Sequence, residues 1–178
     1  FGFMPFYPGP GLGGHCIPID PHYLAWKLKT LDYKARFIEL ASEINADMPF
    51  HVVSKIADVL NCDKKSLNGS RILILGVSYK RDVNDVRESP ALDIIKLLQQ
   101  RLATVFYHDP YVPKLDTNLE VTYLDLTAEN LQQMDCVVIV TDHSGFDCAW
   151  IVDHSRRIVD TRNATKGIVR GKEKVVKL

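Results

Sequence analysis

A thiol, an imidazole and a carboxylate fall close together near the start of the chain, at Cys16, His15 and Asp20. They belong to the segment Pro8-Gly9-Pro10-Gly11-Leu12-Gly13-Gly14-His15-Cys16-Ile17-Pro18-Ile19-Asp20-Pro21. Its glycines and prolines predict neither a helix nor a regular strand. Glycine leaves no Cβ to obstruct a neighbour, and proline stiffens the rest of the path. The segment reads as a stiff loop whose main chain can lie against a bound molecule. Cys16 is the nucleophile such a loop would present, because a thiolate attacks carbonyl carbon and leaves readily on hydrolysis. Asp20 reads in two ways: as a group that orients or accepts a proton, and as the N-cap of a helix opening at Pro21. His15 reads as structural or substrate-facing rather than as a general base. The plain alternative is a surface turn with an incidental cysteine, since most glycine–proline runs are punctuation. Against it, a free cysteine more often lies in a core element than on a polar glycine loop.

The elements that must hold this loop can be read from periodicity. An aromatic, extended lead-in runs from Phe1 to Pro8. From Arg36 to Leu60, apolar residues at Phe37, Leu40, Ala41, Ile44, Met48, Val52, Ile56 and Val59 mark one helical face. Pro49 interrupts it and predicts a kink, or two helices meeting near Met48. The polar stretch 61–70, with an Asn68-Gly69 turn, divides the chain into units 1–66 and 67–178. Beyond it the apolar run Ile72-Leu73-Ile74-Leu75 has the character of a strand buried on both faces. Further strands are expected at Thr104–Tyr107, Cys136–Thr141 and Ile158–Val159, with an edge strand at Lys174–Lys177. Helices are expected from Ser89-Pro90 to Leu102 with Leu92, Ile95 and Leu98 inward, and at Leu126–Met134 and Phe146–Asp153. The fold class is therefore α/β: a helical central segment followed by an open, mostly parallel Rossmann-like sheet.

A second set of reactive side chains follows the first of these strands. The turn there is Gly76-Val77-Ser78-Tyr79-Lys80-Arg81-Asp82, without the Gly-x-Gly-x-x-Gly that seats a dinucleotide pyrophosphate. Asp109, beyond the second strand, reads as a turn-former before Pro110 rather than as a ribose ligand. Lys80, Arg81 and Arg87 lie just past the carboxyl end of the strand, where open α/β sheets bind ligands. Shielded, such cations anchor a diphosphate through charge-assisted bonds; exposed, they contribute little. Arg81 reads as a solvated charge.

Composition narrows the field. The 178 residues carry 22 basic and 22 acidic side chains, so no bulk charge draws the chain to nucleic acid or to an anionic membrane. No apolar run approaches the ~20 residues of a membrane span. Cys16, Cys62, Cys136 and Cys148 have neither zinc-site spacing nor a dense disulfide pattern, which points to a reducing, cytoplasmic setting and to no bound metal. The chain begins without methionine inside an active-site-like loop, and a fragment of a longer protein is expected.

Gly11-Leu12-Gly13-Gly14-His15-Cys16-Ile17-Pro18-Ile19-Asp20-Pro21 resembles the catalytic-cysteine motif of the nucleotide-sugar 6-dehydrogenases, the UDP-glucose/GDP-mannose dehydrogenase family. The His-Cys-Ile-Pro-x-Asp-Pro form is similar to the branch acting on UDP-N-acetylhexosamines, UDP-N-acetylglucosamine above all. His15 and Ile19 stand where the UDP-glucose branch has Ser and Lys. The stretches 74–82 and 85–90 resemble the family's C-terminal UDP-binding signature, and Val159-Asp160-Thr161-Arg162-Asn163 its distal element. The resemblance implies NAD-dependent oxidation of a sugar C6 alcohol to a carboxylate in two hydride transfers, through a thiohemiacetal and a thioester on Cys16, for surface polysaccharide synthesis. It implies that Asp20 helps to position a water or the thiohemiacetal. Substrate contacts are implied for Tyr7, Gly9, Gly11, Leu12, Gly13, Tyr79, Lys80 and Arg162. Arg87 is implied to reach NAD held on another domain, and the central helix to form a homodimer. With no dinucleotide-binding turn among these residues, the chain alone is expected to be inactive. Other readings left open are a UDP-glucose 6-dehydrogenase and a non-catalytic nucleotide-sugar-binding or dimerisation module.

Overall fold

Ile72, Leu73, Ile74 and Leu75 have no exposed surface, and the reason is their place at the centre of a sheet. In the computed structural model, which describes residues 2, 3 and 5–178, they form strand β1 (Arg71–Leu75). Phe1 and Met4 of the aromatic lead-in lie outside the described residues. The other strands are β2 (Thr104–His108), β3 (Thr122–Tyr123), β4 (Cys136–Ile139), β5 (Ile158–Asp160) and β6 (Val175–Lys177). They assemble in the order β3-β2-β1-β4-β5-β6, and every pairing is parallel. β3 is a two-residue edge strand that periodicity does not predict, being too short to show an alternation.

Alternation along β1 divides the core into two layers. Ile72 and Ile74 face α3 (Pro90–Gln100) and the C-terminal half of α2 (Arg36–Cys62). Leu73 and Leu75 face α4 (Ala128–Gln133) and α5 (Cys148–His154). The chain thus leaves β1 on one face and β4 on the other. This makes the carboxyl ends of β1 and β4 a topological switch point, the usual crevice for ligands in such sheets.

Three helical expectations change. α1 runs Cys16–Lys29 and so begins within the glycine–proline segment, five residues before Pro21. The first four N–H groups of a helix have no intrahelical partner, so Pro18 forfeits no bond there and only Pro21 lies in the interior. Asp20 is consequently not an N-cap; His15 holds that position, without a side-chain capping bond. Of the two outcomes expected at Pro49, two helices meeting near Met48 is excluded: α2 is one continuous helix of 27 residues. Its apolar stripe divides: Val52, Val53, Ile56, Val59 and Leu60 are in the sheet's core, whereas Phe37, Leu40 and Ile44 are exposed. On α3, Ala91, Ile94, Ile95 and Leu98 face inward, while Leu92 is only half-buried.

Candidate functional site

The loop preceding α1 is seated on the carboxyl edge of the sheet, and its glycines explain how. A Cβ on Gly13 would stand 2.6 Å from the Glu88 carbonyl oxygen and 2.7 Å from Tyr79 Cβ. Gly14, with φ +87°, would drive a Cβ to 2.7 Å from the Tyr79 ring. The Gly14 N–H donates to the Arg87 carbonyl at 3.0 Å. A Cβ on Gly11 would meet Pro90 at 3.0 Å and the Asn45 carbonyl at 3.4 Å, the carbonyl whose helical donor Pro49 cannot supply. On Gly9 it would stand 2.5 Å from Arg162 Nη1. Close packing within the chain therefore requires Gly13 and Gly14, whereas at Gly9 the flexible Arg162 side chain could move aside.

This seating gathers most of the expected residues. Gly11, Tyr79, Lys80, Asp142 and Arg162 share the wall of one small pocket, and Gly9 lies on the Arg162 guanidinium. Leu12 is exposed and turns to a neighbouring groove lined by Pro18, His22 and Asn45. Tyr7 is exposed on irregular backbone before the loop. Cys16 is exposed as the first residue of α1, beside the unpaired N–H groups of a helix start, which favour negative charge. Asp20 follows four residues later and is exposed, so helical spacing sets it on the same face as the sulfur. Arg87 lies within electrostatic reach of Cys16 and Tyr79. Its guanidinium binds Asp85 in a fork, Nε to Oδ1 at 3.0 Å and Nη2 to Oδ2 at 2.6 Å. That pair raises the Arg87 pKa and lowers that of Asp85.

Arg81 is not merely solvated. It pairs with Asp142, whose other oxygen takes Arg162 Nε at 3.3 Å, so one carboxylate holds two guanidiniums. Hydrogen bonding to Asp142 pushes the Arg81 pKa up. Sequence reasoning missed Asp142. The available signal was its place just past the carboxyl end of β4, where ligand-site residues gather in such sheets.

Asp109 is buried and does more than turn the chain. Its Oδ2 accepts from Val77 N at 2.7 Å and Ser78 N at 3.0 Å, and its Oδ1 from Tyr111 N at 2.8 Å. Nε2 of buried His143 lies 3.0 Å from Oδ2. Burial alone would raise the carboxyl pKa; the His143, Ser78, Val77 and Tyr111 bonds outweigh it and bring it to about 2. The N–H groups of Val77 and Ser78, which a pyrophosphate would need after β1, are already bound to this carboxylate. The residues present therefore do not fit a dinucleotide at the β1 turn. Among the described residues no group of three or more His, Cys, Asp or Glu is placed to hold a metal ion. No described helix is long and apolar enough to cross a membrane.

His143 is no partner for a nucleophile either. Its Nδ1 accepts the Asp82 N–H at 3.0 Å, so the ring proton is on Nε2 and points to Asp109. Ser78 Oγ, 3.1 Å from Nε2, faces a hydrogen rather than a base. His108 and His154 bind the Leu124 and Trp150 carbonyls.

A doubly wound parallel sheet, with its cationic site at the switch point and a cysteine loop docked there, defines the class. Residues 73–167 match the UDP binding domain of the UDP-glucose/GDP-mannose dehydrogenase family, and residues 1–47 match its central domain. The chain belongs to this family. It is 40% identical over 139 residues to the UDP-N-acetyl-D-mannosamine dehydrogenase of Methanococcus maripaludis, covering 78% of this chain and 30% of that protein. It is 30% identical over 144 residues to the UDP-N-acetyl-D-glucosamine 6-dehydrogenase of Pseudomonas aeruginosa, covering 81% and 34%. Among solved structures, UDP-D-ManNAc dehydrogenase from Pyrococcus horikoshii superposes with a TM-score of 0.78 at 27% identity, over 99% of this chain and 40% of that one. The chain thus spans about a third of the length of the curated relatives it matches.

Proposed function

We propose that the chain is the C-terminal portion of an NAD-dependent UDP-N-acetylhexosamine 6-dehydrogenase that supplies uronic acids for surface polysaccharide. The observation that carries this reading is the docking of the cysteine loop onto the sheet's cationic edge. In its support, Gly9 lies against Arg162, Gly13 and Gly14 lie against Tyr79, and Cys16 is within electrostatic reach of Arg87. Tyr79, Lys80 and Arg162 hold the uridine diphosphate. Tyr7, Gly9, Gly11, Leu12 and Gly13 border the sugar. The names of the relatives support an N-acetylhexosamine as a class, with the glucosamine and mannosamine epimers as leading candidates.

In this reading Cys16 sulfur adds to the C6 aldehyde of the sugar, forming a C–S bond and a thiohemiacetal. At the end of the sequence water cleaves the C–S bond of the thioester, freeing the thiol and the carboxylate. Asp20, one turn along the same helical face, orients that water. NAD+ held on a domain outside these residues would accept two hydrides, one as the C6 alcohol becomes the aldehyde and one as the thiohemiacetal becomes the thioester, and Arg87 would contact it. The four free cysteines suit a reducing cytoplasm. The division at residue 66 separates the loop and helical unit, which we assign to dimerisation, from the nucleotide unit. The exposed apolar faces of α1 and of the first half of α2, with Tyr23, Trp26, Phe37 and Ile44, form the contact with a second copy.

Calorimetric titration of the 178-residue chain with UDP, the UDP-N-acetylhexosamines, UDP-glucose and NAD+ tests the assignment. Uridine nucleotides should bind, NAD+ alone should not, and a mixture with NAD+ should yield no NADH. Binding of NAD+ without any uridine nucleotide would overturn it.

A further inference from the structure

The residues expected to touch the nucleotide, Tyr79 and Lys80, lie on a loop with little regular structure of its own. Its conformation is imposed from beneath. At its start, Asp109 accepts the Val77 and Ser78 N–H groups. At its end, His143 Nδ1 accepts the N–H of Asp82, a residue in the left-handed region at φ +59°. Asp82 then returns its carboxylate to Ser144, accepting from N at 2.8 Å and Oγ at 2.5 Å. Between these points Ser78 Oγ donates to the Lys80 carbonyl at 3.1 Å while lying 3.1 Å from His143 Nε2. Thr141 Oγ1 donates to the Ser78 carbonyl at 2.6 Å.

One imidazole thus joins both ends of the loop. Nε2–H is shared between Asp109 and Ser78, and Nδ1 takes Asp82. A histidine suits the place because its two nitrogens can donate and accept on opposite sides of one rigid ring. The His143 side chain has no exposed surface, so water cannot replace either bond. Arg81 and Asp142 of the neighbouring cluster hang from the same two segments, since Asp142 directly precedes His143, and Arg162 joins them from the loop after β5.

We infer that His143, braced by Asp109, is a positioning residue for nucleotide binding: it holds the Val77–Asp82 loop in the shape that presents Tyr79 and Lys80. The inference rests on the reading that these two residues meet the uridine nucleotide. His143→Ala removes both bonds. His143→Asn keeps an acceptor near the Nδ1 position but has no atom at Nε2. For each, UDP affinity is measured by calorimetry, amide exchange by mass spectrometry over residues 76–83 and over β1 and α3, and the melting temperature by circular dichroism.

His143→Ala should bind UDP roughly tenfold more weakly, the loss of one or two buried bonds. Exchange should quicken over 76–83 while β1 and α3 keep their protection. His143→Asn should recover much of the protection at Asp82, and it serves as the test variant if His143→Ala does not fold. Unchanged loop exchange overturns the inference, whether or not affinity falls, and so does loosening spread evenly through the sheet. If the unsubstituted chain binds no UDP, the nucleotide assignment fails, and the exchange measurement alone decides whether His143 shapes the loop.

Discussion

Cys16 and Cys62 are both exposed and each has an arginine within electrostatic reach, Arg87 and Arg157, but Cys16 opens α1 whereas Cys62 closes α2. A thiolate is the species that reacts, and a helix N-terminus favours negative charge whereas a C-terminus disfavours it. Iodoacetamide should therefore label Cys16 faster than Cys62 at neutral pH, as read by peptide mass spectrometry. Arg87→Gln should narrow the gap. Buried Cys136, whose thiol is pushed up to about 12 by burial, should remain unlabelled in the folded chain and serves as an internal standard. Equal rates at Cys16 and Cys62 would leave the glycine loop without a chemical role. At the same scale, Asp109 sets an acid limit on stability. Its folded-state pKa, about 2, lies below the ordinary 3.8, so its contribution is present above pH ~4 and fades as pH falls toward 2. A difference of this size corresponds to about 2 kcal/mol. Asp109→Asn should lower stability by about that much at pH 7, and denaturant curves for the two proteins should draw together by pH 2–3.

Among the elements, α3 shows how a local signal and a distant contact meet in one place. Ser89 caps it by accepting from Ala91 N at 3.3 Å, and Pro90 fits the first turn. The same Pro90 packs against Gly11, so the cap also sets the floor beneath the cysteine loop. Ser89→Ala should cost about 1 kcal/mol, seen as a lower denaturation midpoint with unchanged slope. Serine before proline followed by an apolar helical period made this helix legible. α1 was not legible in the same way. Four prolines and four glycines in residues 8–21 outvote helix propensity in any local count, whereas a helix start tolerates proline within its first turn. The consequence is chemical: by beginning at Cys16 the helix turns Asp20 from a cap into a neighbour of the sulfur. Pro49 likewise looks like a break, but α2 gives up only the Asn45 carbonyl's bond there, and packing of its C-terminal half on the sheet holds it.

For the molecule as a whole, the surface left uncovered is as informative as the core. Trp26, Tyr23, Phe37, Leu40 and Ile44 are all more than 49% exposed on α1 and α2. In the dimer proposed above, these exposed apolar groups form the association surface. Sedimentation should show a dimer, and Phe37→Asp with Ile44→Asp should yield a monomer that retains the sheet's circular dichroism and its affinity for UDP. A wild-type monomer at tens of micromolar would remove the proposed contact. What residue order alone determined is the inner strands β1, β2, β4 and β5, through short apolar runs suited to a buried sheet, and the cysteine motif that carried the family resemblance. Tertiary structure decided which groups meet. Asp109 with His143, Asp142 with Arg81 and Arg162, and Gly13–Gly14 with Tyr79 are separated by 20 to 66 positions along the chain. Such pairings leave no local period, because they arise only when loops from different strands converge on one edge of the sheet.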